Sequence, residues 1–161
     1  MEALEAIRTR RSIRRFKPGD IPREHLETIV DAGRLAASGN NVQPWDFIVV
    51  TERATIAEFK VTEAWVAQAS AVIAVVIDPA TRWWVEDGAA AIQNMLLAAA
   101  ALGYGACWVE GDLLPYEDMV KSLLGVPAAK RLMALIPVGV PAVIPKPKKR
   151  ALKDVLHWER Y

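Results

Sequence analysis

The sequence predicts a single domain of the α+β class. Its 161 residues suit one ordinary domain. Helical and strand patterns alternate along the chain, with no repeat, low-complexity tract or linker between them. A hydrophobic fraction of 53% and a formal net charge of +1 exclude a disordered chain and give no charge excess that would indicate a partner. This high hydrophobic fraction also favours an oligomer, in which apolar surface is buried between subunits.

Two helices are predicted in the first part of the chain. Leu4 and Ile7 lie one helical turn apart among charged residues, which predicts a short amphipathic helix over residues 2–9. Pro22 can begin a second helix without losing a needed donor, and the apolar spacing after it extends to about Ala37.

Two strands follow. Turn-forming residues at 38–41 lead into a strand over 47–50, which its apolar run predicts to be buried. Two short helical pieces lie between Glu52 and Ser70. The uniformly apolar run 71–77 is typical of a strand in the middle of a sheet.

A long helix forms the centre of the second half. Thr81 is a suitable N-cap for it, and its alanine-rich body extends to about Leu102. Gly103 stands where helices commonly end in the left-handed conformation. A short strand is predicted at 106–109.

The last elements are a helix, a strand and an arm. The helix covers 115–124 and ends at Gly125, and the strand covers about 132–138. Pro137 predicts that this strand lies at an edge or is bulged, because proline has no N–H to donate. The proline-rich chain from 141 onward favours an extended arm that packs on a partner subunit.

Several classes of protein are excluded. The single cysteine, Cys107, allows no intrachain disulfide, and the start of the chain lacks the order of a signal peptide, so a cytoplasmic location is expected. The most apolar stretch, 88–103, is too short and too interrupted to cross a membrane. His25 and His157 are far apart and belong to no ligand cluster, so no metal site is expected.

The common nucleotide and hydrolase motifs are also absent. The segment 103–108 has two glycines of a dinucleotide fingerprint, but Trp108 stands in place of the third, and the segment follows a helix. There is no Walker loop and no Gly-x-Ser-x-Gly elbow. Cys107 has no nearby activating residue, which favours a buried thiol over a nucleophile.

A basic turn at 10–15 is the remaining chemical feature. Arg10, Arg11 and Arg14 lie beside the hydroxyl of Ser12 where the first helix ends. Guanidinium groups and a hydroxyl in this arrangement can bind a phosphate dianion through charge-assisted hydrogen bonds. A solvated basic turn and a nucleic-acid contact are the other interpretations of this turn taken alone.

Four pieces of the chain, in this order, resemble the nitroreductase family of FMN enzymes. They are Arg10-Arg11-Ser12 with Arg14 and Phe16; Ala37 to Trp45, containing Ser-x-x-Asn-x-Gln-Pro-Trp; Asp87 through Gly103 with Trp108-Val109-Glu110-Gly111; and Pro137-Val138-Gly139 followed by Lys148-Lys149-Arg150. The resemblance implies one FMN-binding domain over 1–161, with 141–161 as the arm. It also implies a three-layer α-β-α sandwich with a mixed, mainly antiparallel sheet, and an intertwined homodimer.

The resemblance assigns the cofactor site as well. Arg10 and Ser12, with Lys148 and Arg150 returning from the arm, would hold the FMN phosphate. Arg14 would lie under the pyrimidine side of the flavin, where a cation stabilises the reduced anion and raises the potential. No other residue is assigned a catalytic role.

Two further groups complete the implied site. The backbone of Glu110 and Gly111 would approach flavin N5, and glycine permits that approach. The loop that contains Ser38, Gly39 and Asn41 would come from the other subunit, with Gln43 nearby. The remaining cofactor-binding residues are Arg11 and Ala37. Trp83 and Trp84 would stack on an aromatic substrate or fill the dimer interface.

The implied activity is reduction of a small-molecule acceptor, such as a nitroaromatic or a quinone, by NADH or NADPH in a ping-pong reaction. Three alternatives stay open. Relatives of this fold also fragment reduced FMN to dimethylbenzimidazole or remove halogen from aromatic rings. The third is a non-catalytic protein that binds FMN or nucleic acid, although the near-neutral charge disfavours nucleic acid.

Overall fold

The protein is described by a computed structural model over residues 2–110 and 115–161. The helices are α1 (Ala3–Thr9), α2 (Arg23–Arg34), α3 (Arg53–Glu58), α4 (Trp84–Ala101) and α5 (Glu117–Leu124). The strands are β1 (Phe16–Lys17), β2 (Trp45–Val50), β3 (Ala71–Ile77), β4 (Gly105–Ala106), β5 (Val109–Glu110) and β6 (Arg131–Pro141). Short 3-10 turns occur at Gly39–Asn41, Phe59–Val61, Val66–Gln68 and Leu152–Asp154.

The sheet is organised around β6. Strand β3 pairs antiparallel with one side of β6 and with β2 on its other side. Strands β5 and β4 follow one another along the opposite side of β6, and the short β1 pairs with the end of β6; all three pairings are antiparallel. The long helix α4 packs over the sheet, and Gly88 allows this because a Cβ there would meet the Sδ of Met133 on β6 at 2.0 Å.

Strand β3 divides the interior into two cores, and all seven of its residues are buried. Because successive strand residues point to opposite faces, Val72, Ala74 and Val76 belong to one core and Ile73, Val75 and Ile77 to the other. The first core also contains Ile56, Phe59, Val66 and Val120, and the second contains Ile29, Ile92, Met95 and Leu96. Helices therefore cover both faces of the sheet, and the expected α-β-α sandwich is confirmed.

One expectation about the strands is wrong, and the one drawn from Pro137 holds only in its second alternative, because β6 is bulged but is not an edge strand. Strand β2 lies at the edge of the sheet, and Val49 is 40% exposed, because no strand within the described ranges covers its outer side. Pro137 lies in the central strand. Its carbonyl accepts from the N–H of Cys107 at 3.3 Å, so its own nitrogen faces the break between β4 and β5, where the ladder needs no donor. The bulge on β6 lies nearer its start, opposite Val75 and Val76.

The ends of the helices also differ in part. Helix α4 begins at Trp84, and Thr81 does not cap it; the Thr81 hydroxyl is buried without a hydrogen-bond partner in the described chain. Helix α2 ends at Arg34, before Ala37. Gly103 and Gly125 have φ of 86° and 67°, so the predicted left-handed end at Gly103 is confirmed, and α5 ends at Gly125 as predicted.

Two features are absent from residues 2–110 and 115–161. No helix there combines the length and the hydropathy that a bilayer span requires. No group of three or more His, Cys, Asp or Glu side chains in the same ranges is arranged to hold a metal ion.

An ion pair fastens α5 to the start of β6. Arg131 donates to both carboxylate oxygens of Glu117, at 2.8 and 2.9 Å, and the N–H of Leu132 donates to the same group at 3.0 Å. Burial opposes ionisation of Glu117, but these hydrogen bonds outweigh it and hold its pKa below the usual 4.5.

We expect Glu117→Gln to lower the free energy of unfolding by about 2 kcal/mol at neutral pH, because a charge-assisted contact is lost. A lowered folded-state pKa stabilises the protein above the unfolded value and loses that effect as the pH falls through the folded value. Urea unfolding at neutral pH and below 4.5 measures the difference between the two proteins. A difference that does not shrink at acid pH contradicts the assignment.

Candidate functional site

The basic turn is anchored beside β4. Ser12 forms a parallel bridge with Ala106, and the N–H of Ile13 donates to the Ala106 carbonyl at 3.0 Å. The side chain of Ile13 is buried and packs on Gly105, where a Cβ would come within 2.7 Å of it. This anchor fixes the residues on either side of Ile13, and neighbours in an extended segment point away from the core.

Three of the predicted site residues, Arg10, Ser12 and Arg14, lie near enough to Cys107 to act on its thiol. Burial raises the pKa of the Cys107 thiol, while the charges of Arg14 and Arg10 and a hydrogen bond with Ser12 act in the opposite direction. The thiol is buried, as expected. Within the described chain, neither Arg10 nor Arg14 has a carboxylate partner. Among the described residues the group is therefore a positive site beside a hydroxyl, which suits an anion.

Arg11 is placed differently from its neighbours. Its Nη1 donates to the carbonyls of Arg8 at 2.8 Å and Arg10 at 2.7 Å. These carbonyls lie at the end of α1, so Arg11 closes the C-terminus of that helix, where a cation is favourable. The structure does not bring its side chain to the group at Cys107.

The arm begins next to the basic turn and then leaves it. The N–H of Ala142 donates to the Arg15 carbonyl at 2.9 Å. Lys148 and Arg150 are exposed, and Arg150 donates to the Asp154 carbonyl at 2.6 Å. No hydrogen bond or ion pair among the described residues joins these two side chains to Arg10 or Ser12.

The loop at 38–43 forms a second, separate group. Asn40, Asn41 and Gln43 all have positive φ, at 51°, 57° and 53°. The Ser38 carbonyl accepts from Asn41 N–H at 3.0 Å, and the Ser38 hydroxyl accepts from Gln43 N–H, also at 3.0 Å. Ser38 therefore organises the loop from within, and the polar side chains of Asn41 and Gln43 remain exposed.

The start of α4 supports this loop. The N–H of Gly39 donates to Oδ1 of Asp87 at 2.8 Å. A Cβ on Gly39 would lie 2.3 Å from Cε3 of Trp83, so the indole occupies the space that a side chain at position 39 would need. Together with Ala37, these residues border a cavity of about 350 Å³.

The two groups lie at opposite ends of α4. The loop contacts its N-terminal turn through Asp87, whereas the basic turn bridges β4, which follows directly after its C-terminus. An 18-residue helix is about 27 Å long. No hydrogen bond or ion pair in the described ranges joins the 38–43 loop to the basic turn.

The predicted Glu110-Gly111 pair is only partly described. Glu110 ends β5 opposite Ala134 of β6, and its side chain is exposed. Gly111 lies outside the described residues. Strands β4 and β5 lie on the same side of β6, so Glu110 and the Ser12–Ala106 bridge share one edge of it.

Sequence reasoning did not assign roles to Asp87 and Trp83 at the loop. An acidic residue in the first turn of a long helix is common, and nothing in the local pattern shows that its acceptor group lies against a loop 48 positions earlier. The absence of a side chain at Gly39 was the available signal, because glycine often marks a close approach.

Comparison with known proteins agrees with this architecture. The model of the nitroreductase family matches residues 7–78 and 58–140. A protein of Methanothermobacter thermautotrophicus, provisionally named NADH dehydrogenase/NAD(P)H nitroreductase, is 36% identical over 171 positions, which cover all of this chain and 88% of that protein.

Two solved structures extend the comparison. One, from Bacteroides thetaiotaomicron and provisionally named in the same way, has a TM-score of 0.90 and 32% identity over 99% of this chain and 98% of its own. Another, a provisionally named nitroreductase in complex with FMN from Desulfovibrio desulfuricans, has a TM-score of 0.85 and 32% identity over 100% and 98% of the two chains. This chain belongs to the nitroreductase family.

Proposed function

We propose that this protein is an FMN-dependent oxidoreductase that uses NADH or NADPH to reduce nitroaromatic, quinone or related acceptors. The observation that carries the proposal is the group at Cys107, where two arginines without carboxylate partners in the described chain flank a serine hydroxyl. Such a group can hold the phosphate of a cofactor through charge-assisted hydrogen bonds. The FMN complex of the Desulfovibrio desulfuricans relative supports the choice of FMN.

Arg10 and Ser12 would bind the phosphate. Arg10 is half-buried at the end of α1, and Ser12 is held by its bridge to Ala106, so both groups are already oriented. A guanidinium donates two parallel hydrogen bonds to a phosphate, and a hydroxyl adds a third. Lys148 and Arg150 would add charge if the arm turns back toward the site.

Arg14 would lie at the pyrimidine edge of the flavin. It is exposed and makes no hydrogen bond or ion pair within the described chain, so its charge is available to a ligand. A fixed cation there favours a negatively charged ring and raises the reduction potential. Bound FMN would supply the electron transfer, taking electrons from the nicotinamide donor and passing them to the acceptor in separate half-reactions.

We further propose that each cofactor site is shared between two chains. One FMN cannot contact both the basic turn and the 38–43 loop of the same chain if about 27 Å of helix separates them. A two-fold dimer with antiparallel α4 helices would bring the loop of one subunit to the basic turn of the other. Glu110 and the adjacent Gly111 would then line the flavin from the chain that supplies Arg10.

The arm supports a dimer independently. Every residue from 142 to 161 is exposed, including Leu152, Leu156 and Trp158, which is unfavourable for an isolated chain. A groove of about 1250 Å³ runs along α2 and the edge strand β2, and Leu26, Val30 and Val49 are among the apolar residues that line it. The exposed apolar side chains of a second copy's arm would suit this groove. Comparing the solution mass of the full chain with that of a chain ending at 141 tests the arm's part in the dimer.

The proposal is tested by the spectrum of the purified protein. We expect a yellow protein with bound FMN that loses its colour when NADH or NADPH is added anaerobically and regains it when a quinone or nitroaromatic is added. A protein that stays colourless after incubation with FMN contradicts the cofactor assignment. Bound FMN that no nicotinamide reduces contradicts the activity.

A further inference from the structure

We infer that Asp87 is a positioning residue, which holds the 38–43 loop in the conformation that receives the cofactor of the partner subunit. The inference rests on the proposed function for the identity of that cofactor. It concerns a residue of α4 that would not contact FMN itself, and it predicts that FMN affinity depends on one backbone hydrogen bond at the loop.

The loop needs an external support. Three of the four residues from 40 to 43, namely Asn40, Asn41 and Gln43, are non-glycine residues with a left-handed backbone, which is a sparsely populated conformation. Such conformations persist only when surrounding contacts over-determine them. The hydrogen bonds made by Ser38 are internal to the loop and do not fix its place on the domain.

Asp87 supplies that support. It is 4% exposed, lies in the first turn of α4, and its Oδ1 accepts from Gly39 N–H at 2.8 Å. A carboxylate at a helix N-terminus is stabilised by the helix dipole, and a charged acceptor makes a stronger hydrogen bond than a neutral one. The N–H of Asp87 is itself bonded to the Trp83 carbonyl at 2.8 Å, so the backbone of Asp87 is fixed by the helix.

Two further observations point to the same junction. Oδ2 of Asp87 is buried and has no hydrogen-bond partner among the described residues, although Asp87 borders the cavity between the loop and α4. Burial of a carboxylate oxygen without a hydrogen-bond partner is unfavourable. The hydrogen bond that Oδ1 accepts from Gly39 N–H explains why a carboxylate is nevertheless found at this place. Trp83 also packs on Gly39 and leaves no room for a side chain there. The loop is therefore held by a hydrogen bond and an indole face.

The test compares Asp87→Ala with a matched control on the same helix. Asn94→Ala also removes a single hydrogen bond from α4 to a backbone group, but that bond, 3.0 Å from Nδ2 to the Ala32 carbonyl, joins α2 and not the loop. We expect hydrogen exchange of the Gly39 amide in the FMN-free protein to be at least about tenfold faster in Asp87→Ala and unchanged in Asn94→Ala.

FMN binding gives the second measurement. The dissociation constant should rise at least about tenfold in Asp87→Ala and stay at the wild-type value in Asn94→Ala. Asp87→Asn keeps an Oδ1 acceptor and should restore most of both properties. Asp87→Glu keeps the charge but displaces the acceptor, so it should show the loss in a folded protein even if the alanine variant does not fold.

The outcomes separate the two claims. Wild-type protein that binds no FMN overturns the proposed function, while the exchange data still test the role of Asp87. Wild-type exchange at Gly39 in both Asp87→Ala and Asp87→Glu overturns the positioning role, as does an equal effect of Asn94→Ala. Faster exchange with unchanged FMN affinity overturns the link between the loop and the cofactor.

Discussion

Arg10→Ala should yield a protein that folds normally but does not retain FMN through purification. The side chain has no carboxylate partner in the described chain, so its removal leaves no buried charge unpaired. In the proposed site it would make a bidentate, charge-assisted contact with the phosphate. Loss of about 3 kcal/mol corresponds to a dissociation constant raised by a factor of about 100 or more. Fluorescence titration with FMN measures this directly.

The control for charge alone is Arg8→Ala. Arg8 is exposed in the last turn of α1, two residues before Arg10. Its replacement by alanine removes the same formal charge. Long-range attraction between exposed charges is screened by salt, so Arg8→Ala should change FMN affinity only slightly at physiological ionic strength. Arg10→Lys should be intermediate, because lysine keeps the charge but loses the paired donors. Equal affinity of wild type and Arg10→Ala would refute the phosphate assignment.

Much of the fold could be predicted from local patterns. The seven apolar residues of β3 indicated a central strand because only burial on both faces tolerates such a run. Gly103 and Gly125 indicated helix ends because each needs a left-handed backbone. The errors arose where the neighbouring strands decide. Strand β2 lies at the edge because no described strand pairs with its outer side. Pro137 is tolerated at the centre because its missing donor faces the break between β4 and β5.

The site could be predicted in parts but not as a whole. Residue types indicated that Arg10, Ser12 and Arg14 form an anion site, and the structure brings them together at Cys107. The sequence showed no reason to separate Arg11 from them, since its placement depends on carbonyls that only a formed helix leaves unpaired. The contact of Asp87 with Gly39 was not predictable, because it depends on where α4 crosses a loop far away in sequence.

Mixing two inactive variants should restore cofactor binding if each site is shared between chains. One variant is Arg10→Ala, which would lack the phosphate contact. The other is Asn41→Pro, which should break the loop, because proline cannot adopt the φ of 57° at this position and removes the N–H that Asn41 donates to Ser38. We expect neither variant alone to retain FMN.

A mixed dimer contains one site built from two intact parts and one built from two defective parts. Random exchange of subunits would make about half of the dimers mixed, so about a quarter of all sites should bind FMN. If both parts of a site came from the same chain, every site in the mixture would carry one defect and none would bind. Flavin absorbance per protein after unfolding, refolding and gel filtration distinguishes the two arrangements. Restoration would require that Arg10 of one subunit and the loop of the other bind the same cofactor, across the dimer and not along α4.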